Sequence, residues 1–303
     1  MTEPGVTAPA QAPPVTAPRS LGVGLALASA TGFGVMPVLT KVVYDDGVGP
    51  FGVLSVRFSV AAVLLLGLAR LRRERFPRGR QLRNLALLGG VGYVVESLCY
   101  FSALSRISAG LTALLLYLYP ALVVLLSAVL LRHRPRRPAV VCVGVATVGT
   151  ALTIGPVAGG QAVGVLLGLA AAASYALYIV LSSTAIDGVG PLASSAVVMG
   201  ACALVYDVLA VATGAALPHS AGAWAALGGV TLLGTVLAVG AFFAALAILG
   251  PSDTAALSTL EPVVSVGVAA LALGEVLSPV QVVGGGLVVA AVVVLARLEV
   301  ADP

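Results

Sequence analysis

Asp46-Gly47-Val48-Gly49-Pro50 and Asp187-Gly188-Val189-Gly190-Pro191 are the same five residues, 141 positions apart. An acid, two glycines and a proline make a turn, and each copy follows a long apolar run. Leu88-Gly89-Gly90-Val91 recurs as Leu227-Gly228-Gly229-Val230, and Pro120 recurs as Pro262, at 142. Three matches in the same order, at nearly constant offset, read as a duplication. The expected units are residues 20–155 and 156–299, each with five apolar segments.

Around these turns the chain is almost continuously apolar. Of its 303 residues 59% are hydrophobic and 9% charged, with a mean hydropathy of +1.10. A soluble domain carries roughly a quarter of its residues as charges, so this composition excludes an ordinary cytosolic enzyme, a nucleic-acid binder and a disordered regulator. About 20 apolar residues cross a bilayer as a helix. The breaks predict ten spans, near 21–43, 51–71, 84–105, 108–131, 138–155, 162–183, 191–213, 223–249, 253–274 and 279–298. The expected fold is therefore an all-α integral membrane protein of ten transmembrane helices. Because five is odd, the second unit enters from the opposite face, giving two inverted five-helix repeats.

Charge sets the orientation. Residues 1–151 hold 15 of the 16 Lys and Arg with 5 acids, whereas residues 152–303 hold one Arg and 7 acids. The clusters Arg70 to Arg83 and Arg132 to Arg137 lie two crossings apart, hence on one side, and Arg19 and Arg297 join them. Basic loops stay cytoplasmic, so both termini are expected in the cytoplasm of a multi-pass inner-membrane protein. Anionic headgroups account for these clusters without nucleic acid. Residues 1–19, rich in Pro, Ala and Thr, read as a disordered cytoplasmic tail rather than a signal peptide. Cys99, Cys142 and Cys202 have no ligand-like spacing and read as packing residues. No metal or cofactor is expected.

A charge at bilayer depth costs about 2.5–3.5 kcal/mol on insertion scales, so each needs a partner or a watery cavity. Tyr93, Glu96 and Tyr100 stand at i, i+3 and i+7 on one face of the third span. A carboxylate framed by aromatics suits a cationic or amine-bearing solute; the alternative is an interhelical hydrogen bond. Thr254, Ser258, Glu261 and Ser265 form a polar stripe on the ninth span. There Pro262 frees a carbonyl one turn earlier, and Tyr119 before Pro120 is its counterpart. Tyr175 and Tyr178 form a weaker stripe with Ser174 and Ser182. Arg57 pairs with Glu96, binds a substrate carboxylate, or forms a structural ion pair. Asp207 is a lone acid able to take up a proton. The expected substrate-binding set is Tyr93, Glu96, Tyr100, Tyr119, Tyr175, Tyr178, Ser258 and Glu261, with Arg57 and Asp207 as proton or ion-pair candidates.

Several of these motifs together resemble the drug/metabolite transporter superfamily, in its EamA-type branch of ten helices, over residues 20–298. They are the Gly/Pro-rich first span ending at Lys41, the Pro50…Arg57 opening of the second, Tyr119-Pro120 and Glu261-Pro262-Val263. Leu273-Gly274-Glu275 before Gly284-Gly285-Gly286 completes the set. Arg132-His133 stands where the second half has Gly274-Glu275, and Gly32-Phe33-Gly34 stands where the family often has a Trp. The resemblance implies secondary transport of metabolites, often amino acids or related compounds and often efflux. The expected partners are a small solute and the lipid bilayer, for a monomer or homodimer. A membrane scaffold or sensor is the alternative, though it has no need of an inverted duplication. An intramembrane enzyme is weaker still, since His133 and His219 both fall in loops and no nucleophile–base or ligand motif occurs.

Overall fold

The computed structural model describes residues 18–130, 137–154, 161–182 and 190–300. The tail, Arg132 to Arg136 and the second pentapeptide's Asp187-Gly188-Val189 lie outside them. Among the described residues every regular element is a helix. The helices are α1 (Arg19–Asp45), α2 (Pro50–Leu71), α3 (Arg80–Leu87), α4 (Val94–Leu104), α5 (Ala109–Leu116), α6 (Tyr119–Leu130) and α7 (Arg137–Ile154). They continue as α8 (Ala162–Ser182), α9 (Pro191–Thr213), α10 (Ala221–Thr231), α11 (Ala238–Ser258), α12 (Leu260–Leu273) and α13 (Pro279–Val300). π-Helical segments, Leu88–Tyr93 and Leu232–Leu237, join α3 to α4 and α10 to α11. The protein is a membrane protein. Among the described residues seven helical runs are long and apolar enough to cross a bilayer, and three further apolar helices, Arg137–Thr153, Leu260–Leu273 and Pro279–Leu295, are shorter.

Local sequence explains the ends. Pro50 and Pro191 open α2 and α9, where a missing N–H is harmless and φ is already helical. Ser108 and Ser220 cap α5 and α10 by accepting from Leu111 N and Ala223 N. Gly274 closes α12 at φ +66, a left-handed conformation that suits glycine.

Two spans read as single helices are interrupted. The fourth breaks at Tyr117-Leu118, between α5 and α6. The ninth turns at Thr259, between α11 and α12, while the non-helical Gly250 (φ 78, ψ 173) falls at the expected break between the eighth and ninth spans. Thr254 and Ser258 therefore lie at the end of α11, while Glu261 and Ser265 lie on α12, so the expected stripe does not run along one helix. Proline is the cause: Pro120 and Pro262 cannot donate to the carbonyl four residues earlier. For Pro262 that carbonyl belongs to Ser258, and it accepts instead from the Tyr117 hydroxyl at 2.9 Å.

Packing interleaves early and late helices. α2 runs along α9, α1 against α10, α11 and α12, α4 against α8, and α7 against α13. Phe58 stacks on Tyr206 (centroids 5.5 Å apart, planes at 12°) in the main core. Carboxylates fasten helix ends between the two parts. Asp46 accepts from His219 N (2.6 Å) and Ser220 N (3.2 Å), Glu74 from Ala193 N (2.8 Å), and Glu275 from Ala109 N (2.7 Å) and Gly110 N (3.0 Å). The His219 N–H, first among these donors, holds the Asp46 carboxyl below its usual range. That fastening is complete above the ordinary carboxylate pKa and is lost as pH falls through the lowered value.

Candidate functional site

Each π-helical segment brings one polar side chain to the interior, Tyr93 and Thr235. The wider π-helical turn re-aims side chains and is common at functional sites. The first ends on Tyr93. The second presents Thr235, whose hydroxyl donates to Val230 O, five residues back, at 3.1 Å. Thr235 in turn accepts from Arg57 Nε at 2.9 Å. Arg57 is 3% exposed, with its guanidinium 5.0 Å from the Phe58 centroid and 5.1 Å from that of Phe101. A charge-assisted hydrogen bond and two aromatic faces offset much of its burial. The described residues contain no ion pair between Arg57 and Glu96.

Arg57 lines two adjoining cavities, of about 90 and 270 Å³. Glu96 and Tyr100 line the smaller, Tyr178 and Ser258 the larger, and Tyr93, Tyr119, Tyr175 and Glu261 both. The eight expected substrate-binding residues thus come together from α4, α6, α8, α11, α12 and the first π-helical segment. Glu96 is buried and takes no hydrogen bond from the described residues, whereas Glu261 accepts from the Tyr117 hydroxyl at 2.9 Å. A run of rings joins the acids: Tyr117 to Tyr119 (6.1 Å), Tyr119 to Tyr175 (4.8 Å), Tyr175 to Tyr178 (6.2 Å) and Tyr178 to Tyr93 (5.4 Å). Such a wall offers aromatic faces to a cation and hydroxyls to polar groups.

Tyr117, Thr235 and Phe242 line this cavity outside the expected set, as does Phe33, which the sequence reading took only as part of Gly32-Phe33-Gly34. Tyr117 had a usable signal, because it lies next to the turn that Pro120 forces. Phe33 had another. Its flanking glycines leave room for close neighbours: a Cβ on Gly34 would sit 2.8 Å from Glu261 O. The Gly-Phe-Gly triplet therefore admits α12 beside α1 and turns one aromatic inward.

Asp207 is not among the residues lining these cavities. Ser59 donates to its two oxygens (3.1 and 2.8 Å), and Ser55 donates as well. Its surroundings are those of a helix clamp between α2 and α9. Replacing Asp207 by Ala should cost about 1–2 kcal/mol of stability, since each serine can turn back to its own helix carbonyls. A thermal melt should drop by several degrees, with solute transport per folded molecule retained.

A third cavity adjoins these along Tyr117, Tyr119 and Ser258 and reaches Val123 and Leu295, near Arg297. At the opposite end Lys41 Nζ donates to Ile107 O (2.7 Å), beside the Glu275 fastening on α5. The arrangement can hold a small solute with charges of both signs.

The EamA-like transporter family model matches the chain twice, at residues 20–155 and 162–297. The chain is 27% identical over 251 residues to the uncharacterized inner membrane transporter YedA of Escherichia coli (strain K12), covering 81% of each. The same protein from Escherichia coli O157:H7 matches equally. One solved crystal structure shares the fold, with a TM-score of 0.65 at 20% identity, over 94% of this chain and 100% of that one. On the double family match, the chain belongs to the EamA-like transporter family.

Proposed function

We propose that the protein is a secondary transporter that exports a small zwitterionic metabolite, an amino acid or related compound, across the inner membrane by alternating access. The observation that carries this reading is the cavity where one arginine, Arg57, lies with two acids, Glu96 and Glu261, beside a tyrosine wall. An amine would sit between Glu96 and the rings, and a carboxylate on the free edge of the Arg57 guanidinium.

On this reading the three shorter helices are crossings too, which makes ten. α7 and α13, at 18 and 22 residues, span about 27 and 33 Å. α12 reaches bilayer thickness together with the residues between Gly250 and Thr259. Inverted duplication draws support from the paired π-helical segments, Leu88–Tyr93 and Leu232–Leu237, and from the paired breaks at Tyr117-Leu118 and Thr259. The two family-model matches favour it as well. The arginine-rich end, with both termini, is then cytoplasmic, and the cavity leads toward it.

A panel of amino acids and amines loaded into proteoliposomes tests this function. At least one should be transported, and Glu96→Gln should keep the protein folded while lowering that transport at least about tenfold, the loss expected for one charged hydrogen bond. Wild-type rates in the variant would remove Glu96 from the site.

A further inference from the structure

A separate cavity, about 450 Å³, opens on the flank of the protein between α8 and the α3 to α4 run. Its walls are Leu87, Val91 and Val95 on one side and Leu177 and Leu181 on the other, all exposed to the surrounding bilayer. The π-helical segment Leu88–Tyr93 forms part of its floor. Gly92 leaves space there: a Cβ on it would touch Tyr178 Cδ2 at 3.4 Å. Asn84 marks the polar end of the groove. One helical turn before it, on the same face of α3, stands exposed Arg80, with Arg83 adjacent.

An apolar slot within the membrane that ends at arginines has the charge pattern of a phospholipid, with its chain in the slot and its phosphate at the guanidinium. We propose that this groove is a binding site for one anionic phospholipid of the surrounding leaflet, headgroup at Arg80 and acyl chain between Leu177 and Val91. Tyr178 gives the site a consequence, because the same ring lines both the groove and the central cavity. A bound chain would therefore form part of the lateral support of the central cavity. The site depends only on the protein being in a membrane, not on what the central cavity holds.

Native mass spectrometry of the detergent-purified protein tests it, with dioleoylphosphatidylglycerol and dioleoylphosphatidylcholine as probes. The wild type should retain one phosphatidylglycerol, preferred about fivefold over phosphatidylcholine, the ratio expected for one arginine beside an anionic headgroup. Arg80→Gln should abolish that preference. Leu177→Trp, which fills the groove, should abolish retention. Leu271→Trp, on an exposed apolar position of α12, should retain lipid as the wild type does. Equal retention of the two lipids by the wild type, a preference that survives in Arg80→Gln, or normal retention by Leu177→Trp would overturn the proposal. Because no solute is involved, none of these results bears on the transport reading.

Discussion

Arg57→Met is expected to abolish stabilisation of the purified protein by its solute while leaving the melting temperature within a few degrees of wild type. Magnitudes decide this. A buried arginine costs about 2.5–3.5 kcal/mol on insertion scales. Its bond to Thr235 returns about 1.5–3 kcal/mol, and the faces of Phe58 and Phe101 return about 0.5–2 kcal/mol each. At the low end of these ranges the three returns total about 2.5 kcal/mol and match the cost, and methionine keeps most of the volume, so stability changes little. Ligand binding has no such compensation. Arg57 is the cation among the described residues lining the central cavities, and without it a solute carboxylate would face Glu96 and Glu261. A bound ligand stabilises by mass action, so a thermal-shift screen that is positive for wild type and flat for Arg57→Met is the expected pair of results. Arg57→Lys should recover only part of the shift, because an ammonium lacks the planar fork that serves Thr235 and a carboxylate together. A full solute shift in Arg57→Met would assign the arginine to structure alone.

Glu275→Ala should open the end of the cavity that lies away from the arginine-rich loops. In the structure its two oxygens take the first two N–H groups of α5, at 2.7 and 3.0 Å. Lys41 fastens the neighbouring Ile107 carbonyl. Helix N-termini favour carboxylates both as hydrogen-bond acceptors and through the helix dipole. Two charge-assisted bonds are worth about 3 kcal/mol together, enough to move a two-state equilibrium by about a hundredfold. A cysteine at Leu116, which lines the smaller cavity, reports on this in a background where Cys99, Cys142 and Cys202 are replaced. Labelling from the outer face should rise at least about tenfold in Glu275→Ala, and less in Glu275→Gln, whose amide still accepts one bond. Unchanged labelling would leave Glu275 a helix cap with no part in closing that face.

Glu275 also shows where sequence reasoning stops. Gly274-Glu275 was recognisable as a motif, and the left-handed turn at Gly274 explains the glycine. That the glutamate grips α5, 166 residues earlier, depends on α1, α5 and α12 meeting. Glu96 and Asp207 make the same point as a pair. Both are acids within apolar spans. The tyrosines three before and four after Glu96 marked it for substrate, but nothing near Asp207 in sequence announced that it is held by serines from another helix. The packing of α2 along α9 gives Asp207 two serines, while Glu96 is left facing a cavity beside Arg57.

The sequence by itself determined the membrane class, the places where apolar runs end, the repeating order of turns and prolines, and the short roll of polar residues within the spans. These follow from composition and local turn chemistry, which neighbouring residues decide. Only the tertiary structure decided which polar groups share one space, that Tyr117 and Thr235 hold Glu261 and Arg57 in place, and that Asp207 stands apart. Side-chain direction in a membrane helix depends on which distant helix it meets, and one proline or one π-turn rotates everything beyond it.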